Sequence, residues 1–150
     1  MRAVIQRVTE ASVEVSGIVT GKIGQGMVIL FGAEEGDTND DFDYVLKKCV
    51  NLRIFSDDDG KMNLALGDIG GEILCVSQFT LLGEIKKGNR PGFTRAMEPG
   101  AAKDIYDKFC DACERALGRK TQKGVFGADM KLYILNDGPV TIIVDSRNRI

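Results

Sequence analysis

The feature that most constrains the fold is a proline between two segments rich in strand-forming residues. Residues 130–135 (MKLYIL) and 140–144 (VTIIV) carry the β-branched and aromatic side chains that favour strands. Between them, Asp137-Gly138 is a hairpin signal, and Pro139 has no N–H to give to a central ladder. Two interpretations remain open. The segment is either a hairpin loop with a proline at its exit, or a rigid backbone element. In the second case the surrounding packing can hold the X-Pro bond in the cis form and direct the flanking carbonyl groups at a target.

Length and composition bound the class of protein. The chain has 150 residues, 43% of them hydrophobic and 28% charged, which fits a single soluble globular domain spanning residues 1–150. No apolar run approaches the length of a transmembrane helix, and residues 1–7 lack the apolar core of a signal peptide. We therefore expect a cytoplasmic protein that makes no use of a membrane.

The sequence contains no histidine. This excludes Ser-His-Asp and Cys-His catalysis, His-ligated zinc and an imidazole general base. The net charge of −2 argues against a protein that coats nucleic acid, although local basic clusters can still dock part of one. Because the cysteines lie in apolar or helical surroundings, we expect reduced, packed thiols and neither disulfides nor a metal site. They are Cys49, Cys75, Cys110 and Cys113.

Hydrophobic periodicity predicts many strands and two helices. Strands are expected at residues 3–9, 12–15, 18–23, 27–31, 53–56 and 73–81, followed by a hairpin at 130–144. The first helix follows an N-cap at Thr38, and the second covers residues 100–117 and stops at Gly118. The buried faces are expected to be Phe42, Val45, Leu46, Cys49 and Leu52 in the first helix, and Ala102, Ile105, Phe109, Ala112 and Ala116 in the second. Since helices and strands do not alternate strictly, the pattern indicates an α+β fold with a largely antiparallel sheet.

Two hydroxyl groups near the end of the 73–81 strand are candidate nucleophiles. Strand alternation places Ser77 and Thr80 on opposite faces, so they cannot converge unless the strand bends or ends there. A base is also missing, since Lys86 or Lys87 would lie in a solvated, flexible loop that does not activate a lysine as a base. Local sequence leaves open whether this segment is an ordinary strand end or a site.

Basic residues are concentrated in two loops. They are Lys86, Lys87, Arg90, Arg95, Arg119, Lys120 and Lys123. Each one alone is explained by a solvated surface. Together they could instead hold a few phosphates, in which case binding would weaken with salt.

Three segments together resemble the hallmark motifs of the D-aminoacyl-tRNA deacylases. They are Ser77-Gln78-Phe79-Thr80-Leu81, Val125-Phe126-Gly127-Ala128-Asp129-Met130 and Asn136-Asp137-Gly138-Pro139-Val140-Thr141. Residues 1–8, 51–55 and 61–63 are similar too, so the resemblance covers essentially the whole chain. Each motif is short, but their order and spacing make the joint match specific.

The resemblance implies a homodimeric hydrolase that cleaves the ester between a D-amino acid and the terminal adenosine of tRNA. It implies a partly closed barrel with two main helices packed on it, a site at the dimer interface, and no cofactor or metal. In this family a cis Gly-Pro peptide, here Gly138-Pro139, reaches into the partner's pocket. Its carbonyls crowd the substrate's α-carbon, which excludes an L side chain and admits a D side chain or glycine, so mischarged glycyl-tRNA is also an expected substrate.

The resemblance also assigns roles to residues. No side-chain nucleophile is needed, since the substrate's ribose hydroxyl helps to activate water. Backbone N–H groups near Phe79 and Thr80 would form an oxyanion hole. The expected catalytic segment is Ser77, Gln78, Phe79 and Thr80, and the expected pocket wall is Phe126, Gly127, Ala128 and Met130. Arg7 is expected to support the Gly-Pro segment. The expected contacts to the tRNA acceptor end are Lys86, Lys87, Arg90 and Lys123. Two alternatives remain: an acyl hydrolase with Thr80 or Ser77 as covalent nucleophile, and a non-catalytic RNA-binding module.

Overall fold

The computed structural model describes residues 1–149, which form a six-stranded sheet, a small separate hairpin and two α-helices. The strands of the main sheet are β1 (Arg2–Val15), β2 (Ile18–Ile23), β3 (Gly26–Gly32), β6 (Glu72–Ser77), β7 (Gln122–Lys123) and β8 (Met130–Asp145). The hairpin is β4 (Phe55–Ser56) with β5 (Met62–Leu64). The helices are α1 (Asn39–Asn51) and α2 (Pro99–Leu117), and a 3₁₀ helix covers Phe79–Leu82.

The sheet is mixed and curls into a nearly closed barrel. Strand β1 is antiparallel to β2, β3 and β8, whereas β3 with β6 and β6 with β7 are parallel. The barrel closes where β2 approaches β7, since a Cβ on Gly21 would lie 2.9 Å from the carbonyl oxygen of Lys123. Only a glycine lets the two backbones come this close. The expected α+β class with a largely antiparallel, barrel-like sheet and two main helices is confirmed.

Two regions that were each expected to form a pair of strands instead form one long strand each, β1 and β8. The sequence predicted a break in β1 and a hairpin at residues 130–144, and both predictions are wrong. Strand β8 pairs with β1 on both sides of an interruption at residues 137–140, from Arg2 opposite Asp145 to Val15 opposite Met130. Each half of β8 therefore finds its partner in β1 and not in the other half. The turn signal around Gly138 is accommodated as an interruption inside one strand.

The core has two parts, one on each face of the sheet. Along β3, Met27, Ile29 and Phe31 pack in the cluster shared with the two helices, whereas Val28 packs in a smaller cluster with residues such as Leu74 inside the barrel. Strands covered on both faces read as unbroken apolar runs. The expectation of a buried strand at residues 27–31 is thus confirmed.

Helix α1 starts as the sequence predicts. Thr38 caps it, and Asp41 reciprocates by accepting from the Thr38 backbone N–H at 2.8 Å, which completes a capping box. Phe42, Val45 and Cys49 are buried as expected, while Leu46 and Leu52 are only partly buried.

Helix α2 ends at Gly118, whose φ of 65° is the left-handed conformation of a helix C-cap. Of the expected buried face, Phe109 and Ala112 are buried and Ala102 and Ile105 are partly buried, whereas Ala116 is exposed, so the prediction for Ala116 is wrong. The buried residues that the prediction left out are Tyr106, Cys110 and Cys113. All four cysteines are free and buried, which confirms packed thiols. Within residues 1–149 no helix combines the length and apolarity that crossing a bilayer requires.

Candidate active site

A cavity of about 560 Å³ lies where the end of β6, the start of α2 and the beginning of β8 meet. Ser77, Gln78 and Phe79 line one wall, and residues 126–130 line another. Two of the three sequence motifs, separated by more than forty residues along the chain, therefore face the same space. Thr80 is not among the lining residues.

The first wall is built where β6 ends. The sequence predicted a strand through residue 81, but the strand stops at Ser77 and a 3₁₀ helix follows. The Gln78 N–H donates to the carbonyl of Phe31 at 2.7 Å and makes the last sheet bond, after which the chain turns and buries Leu82. A Cβ on Gly32 would lie 2.9 Å from the carbonyl oxygen of Gln78, so this turn needs a glycine on the neighbouring strand.

Within residues 1–149, the turn leaves the first backbone N–H groups of the 3₁₀ helix without acceptors. Its first paired donor is the N–H of Leu81, which bonds the Gln78 carbonyl at 3.2 Å. The N–H groups of Phe79 and Thr80 precede it, and the opening residues of a helix have no intrahelical acceptor. This segment can therefore offer main-chain donors to a ligand.

The two candidate hydroxyl groups differ in position. Ser77 is partly buried and lines the cavity. Thr80 is exposed, and its hydroxyl oxygen accepts from the Gln78 side-chain amide. The structure therefore does not bring the two hydroxyls together at one reaction centre.

The second wall is a short turn that leads into β8. Gly127 has a φ of 75°, and the Ala128 N–H donates to the Val125 carbonyl at 3.2 Å. The Phe126 ring packs at 6.0 Å from the ring of Tyr106, centroid to centroid. Phe126, Gly127, Ala128 and Met130 all line the cavity.

A third wall comes from α2 and the segment before it, and sequence reasoning missed it. Tyr106, Ala102, Met97 and Phe93 line the cavity, but in the sequence they look like ordinary apolar core positions. Tyr106 is buried, and its hydroxyl donates to the Cys75 carbonyl at 2.8 Å. The helical spacing of Tyr106 with Ala102 and Phe109 was the available signal, and it indicates only a buried face.

Two titratable side chains of the cavity have pKa values displaced away from neutrality. Burial, followed by the neighbouring thiols of Cys75 and Cys110, raises the pKa of Tyr106, so its hydroxyl stays a neutral donor. Glu98 caps α2, and the N–H groups of Gly100 and Ala101 lower the pKa of its carboxyl. Neither group has a pKa suited to a general base that works near pH 7.

The loop of residues 84–92, which we call the basic loop, connects to two aromatic side chains that line the cavity, Phe79 and Phe93. Phe79 is 56% exposed and contacts Phe93 edge to face, with ring centroids 5.0 Å apart. Between these two rings in sequence, Glu84 and Gly92 form a β-bridge that closes a small loop with Lys86, Lys87 and Arg90 exposed. Lys123 lies elsewhere, on β7, with its Nζ 3.6 Å from Asp107 Oδ1. Of the four expected tRNA contacts, the structure groups three.

The third motif forms an interruption in the pairing of β8 with β1. We call residues 137–140 the bulge segment. Its Gly138-Pro139 peptide is cis, both residues are exposed, and Gly138 has a φ of 117°. In the part of the chain that the structure describes, neither residue lines the cavity of its own subunit.

Arg7 holds the bulge segment from the facing strand. Its guanidinium donates to the Asp137 carbonyl at 3.2 Å and lies 3.1 Å from the Asp137 carboxylate. It also donates to the Ile54 carbonyl at 2.7 Å, which ties the bulge segment to the residue before β4. The Arg7 side chain is 12% exposed, so these bonds are largely shielded from water.

Comparison with known proteins gives consistent matches. The family model described as D-Tyr-tRNA(Tyr) deacylase matches residues 4–145. A D-aminoacyl-tRNA deacylase of Porphyromonas gingivalis is 50% identical over 149 residues, 99% of each chain. One from a Sulfurihydrogenibium species is 54% identical over 147 residues, 98% of this chain and 99% of the relative. Among solved structures, the c-Myc DNA Unwinding Element Binding Protein superposes with a TM-score of 0.90 at 41% identity, covering 97% of this chain and 98% of that one.

Proposed function

The chain belongs to the D-Tyr-tRNA(Tyr) deacylase family, and from this premise we propose that it hydrolyses the ester bond of D-aminoacyl-tRNA. The products are a free D-amino acid and tRNA, so the reaction removes wrongly charged tRNA before translation. One observation carries the proposal: the cavity brings the Ser77–Phe79 segment and residues 126–130 together. The relatives that match over 98–99% of this chain are named for this activity.

Catalysis is proposed to rest on the backbone and on the substrate. A histidine-free chain has no imidazole base. The pKa of Tyr106 is raised and the pKa of Glu98 is lowered, so neither side chain suits a general base near pH 7. The N–H groups of Phe79 and Thr80 would stabilise the developing oxyanion, and a donor of this kind is worth about a hundred- to a thousandfold in rate. The neighbouring ribose hydroxyl of the substrate would help to activate the attacking water.

Chiral selection is proposed to occur across a homodimer. Strand β8 pairs only with β1 among the described residues, so its other edge is open. Its outward side chains include Tyr133, Leu135 and Ile143, each more than half exposed. A long apolar edge of this kind favours pairing with a second copy.

The bulge segment is proposed to contribute in trans. We place a two-fold axis near Leu135 between two antiparallel β8 strands, where residues equally far from the axis would face each other. Gly138 of one copy would then lie opposite Leu132 of the other, and Leu132 lines the cavity. The carbonyls of Gly138 and Pro139 would crowd the substrate's α-carbon and reject an L side chain while they admit a D side chain or glycine. Glycyl-tRNA on a non-cognate tRNA is therefore a second proposed substrate.

The tRNA is proposed to approach over the basic loop. Lys86, Lys87 and Arg90 are exposed in the chain between Phe79 and Phe93, two residues that line the cavity, and they would contact the phosphates of an acceptor end. Lys123 is the weaker candidate, because Asp107 already balances its charge. The free, buried thiols suit a reducing compartment, and we place the reaction in the cytoplasm.

The decisive experiment compares the two enantiomers on one tRNA. Purified protein is incubated with D-tyrosyl-tRNA and L-tyrosyl-tRNA at equal concentration, and release of the amino acid is followed with time. Rapid hydrolysis of the D ester alone supports the proposal. Equal hydrolysis of both esters, or of neither, contradicts it. The mass of the protein in solution tests the dimer, and a monomer at assay concentration contradicts the contribution in trans.

A further inference from the structure

The bulge segment is unusual because the two strands contribute very different numbers of residues at this point. The ladder pairs Gln6 with Thr141 and then Val8 with Asn136. Between these pairs β1 contributes one residue, Arg7, and β8 contributes four, residues 137–140. A bulge normally sets two residues against one. Four residues against one leaves a wide gap in which ordinary ladder bonds cannot form.

The side chain of Asn136 spans this gap. Its amide nitrogen donates to the Arg7 carbonyl at 2.9 Å and to the Val140 carbonyl at 3.0 Å. Its amide oxygen faces the Gln6 amide and the Thr141 hydroxyl, each at 3.4 Å. A carboxamide carries the N–H and C=O groups of a peptide unit, with one additional N–H donor. The Asn136 side chain thus replaces a missing backbone unit at the neck of the bulge segment.

Arg7 and Asn136 hold the bulge segment in different ways. Arg7 binds Asp137, near the start of the segment, and links it to Ile54. Asn136 joins the residue before the segment to Val140 at its end, and so fixes the distance between the two ends. Together they restrain the four residues at both ends, and the Gly138-Pro139 carbonyls lie between these points.

We infer that Asn136 is a positioning residue for chiral selection, which acts by holding the ends of the bulge segment together so that the Gly138-Pro139 carbonyls keep their direction. The inference rests on the proposed function. Asn136 does not line the cavity in the described structure. Its effect is therefore on the discrimination between D and L esters, and the binding of the tRNA itself is unaffected.

The test uses Asn136→Asp and Asn136→Ala in the full-length protein. The aspartate has nearly the same shape but sets an oxygen against two carbonyl oxygens, and the alanine removes both bonds. Each lost hydrogen bond changes the free energy by a modest amount, and the loss of two corresponds to about a tenfold change in the equilibrium that holds the bulge segment in place. We expect the ratio of D-tyrosyl-tRNA to L-tyrosyl-tRNA hydrolysis to fall at least about tenfold, with KM for the D ester unchanged. Asn51→Asp is the matched control, since the Asn51 amide also donates to a carbonyl, that of Lys47 at 2.9 Å, at the end of α1.

The outcomes separate the inference from the proposed function. If the wild-type protein shows no preference for the D ester, the proposed function fails, and the inference fails with it. If the wild type is selective and either folded Asn136 variant keeps a D-to-L ratio within about twofold of it, only the inference is overturned. Using two variants keeps the test valid if one of them does not fold. A loss of selectivity in Asn51→Asp equal to that in the Asn136 variants would also overturn the inference, because the effect would then be one of general stability.

Discussion

The Tyr106 hydroxyl and the Cys75 carbonyl are joined by a buried 2.8 Å hydrogen bond that links the middle of α2 to the strand leading into the cavity. The same carbonyl also accepts, at 3.4 Å, from the N–H of Gly124, which precedes the second wall. One carbonyl oxygen is therefore the meeting point of three chain segments around the site.

Replacing Tyr106 by Phe tests this junction. The change removes one buried hydrogen bond, which is worth about 1 kcal/mol, and for a domain of this size lowers Tm by about 2–4 °C. We expect a several-fold fall in kcat for the D ester, because the strand that carries Ser77 loses a support. Thermal unfolding and initial rates measure the two effects. Tyr44→Phe is the control, as no side-chain hydrogen bond of Tyr44 occurs within residues 1–149; a similar loss in both variants would contradict the role of the junction.

Removing the two hydroxyls distinguishes backbone catalysis from a covalent nucleophile. Ser77→Ala and Thr80→Ala leave the main-chain donors of the 3₁₀ helix in place, so we expect kcat within about threefold of wild type for each. Single-turnover hydrolysis of D-tyrosyl-tRNA is the measurement. Complete loss in either variant, or an acyl-enzyme trapped by acid quench, would support the rival nucleophilic mechanism.

Gly138→Ala alters the bulge segment directly. A Cβ at this position would lie 2.8 Å from Val140 Cγ2 and 3.0 Å from an Arg7 guanidinium nitrogen, and Gly138 has a φ of 117°. The segment must shift, so we expect the D-to-L hydrolysis ratio to fall at least about tenfold. Gly17→Ala is the control for backbone strain alone, since Gly17 has a φ of 79° with nothing within 4 Å of its added Cβ. An unchanged ratio in folded Gly138→Ala protein would contradict selection by this segment.

The basic loop predicts a salt dependence. Each phosphate contact contributes a slope of about 0.7–0.9 in the logarithm of affinity against the logarithm of salt concentration. Replacing Lys86, Lys87 and Arg90 by Ala should therefore raise KM at low salt and flatten its salt dependence by about two units in total. Lys22→Ala, on the exposed side of β2, should change neither. A triple variant with the wild-type slope would show that the tRNA binds elsewhere.

Glu98 gives a pH dependence with a defined sign. Its carboxyl accepts from Gly100 and Ala101, and these bonds lower its pKa below the ordinary value of 4.5. A carboxyl whose pKa is lower in the folded state stabilises the fold above its unfolded pKa, and this contribution is lost as the pH falls through the folded value. The stability difference between wild type and Glu98→Gln should therefore be present at pH 7 and shrink towards zero below the pKa of the folded state. Urea unfolding at pH 7 and at a pH below the folded-state pKa measures this stability difference. Glu35→Gln, which removes the charge of an exposed carboxylate, is the control. A difference that grows in acid would contradict the assignment.

The sequence allowed parts of the fold to be predicted where local chemistry decides the structure. Thr38 and Gly118 mark helix ends because caps act through neighbouring backbone groups. The hairpin at residues 130–144 was predicted wrongly, because Asp137-Gly138 carries the same local signal in a turn and in a bulge. Which of the two forms depends on β1, more than a hundred residues away.

The same limit applies to the site. The motif residues Ser77, Gln78, Phe79 and Phe126 were predicted as site residues from the resemblance, and the structure places them around one cavity. Tyr106 and Phe93 were missed, because a buried aromatic side chain in a core and one in a cavity wall look alike in sequence. Only the packing of α2 against the end of β6 distinguishes them.

Strand β8 carries both a wall of the cavity, at Met130 and Leu132, and the bulge segment that would serve the partner's cavity. In the proposed dimer, the number of residues between Leu132 and Gly138 therefore sets the distance between one site and the element donated to it. Inserting one residue at position 134 would reverse the alternation of every side chain beyond it. Both sites of the dimer would lose their geometry at once, so this short stretch should tolerate substitution on its exposed side but no change of length.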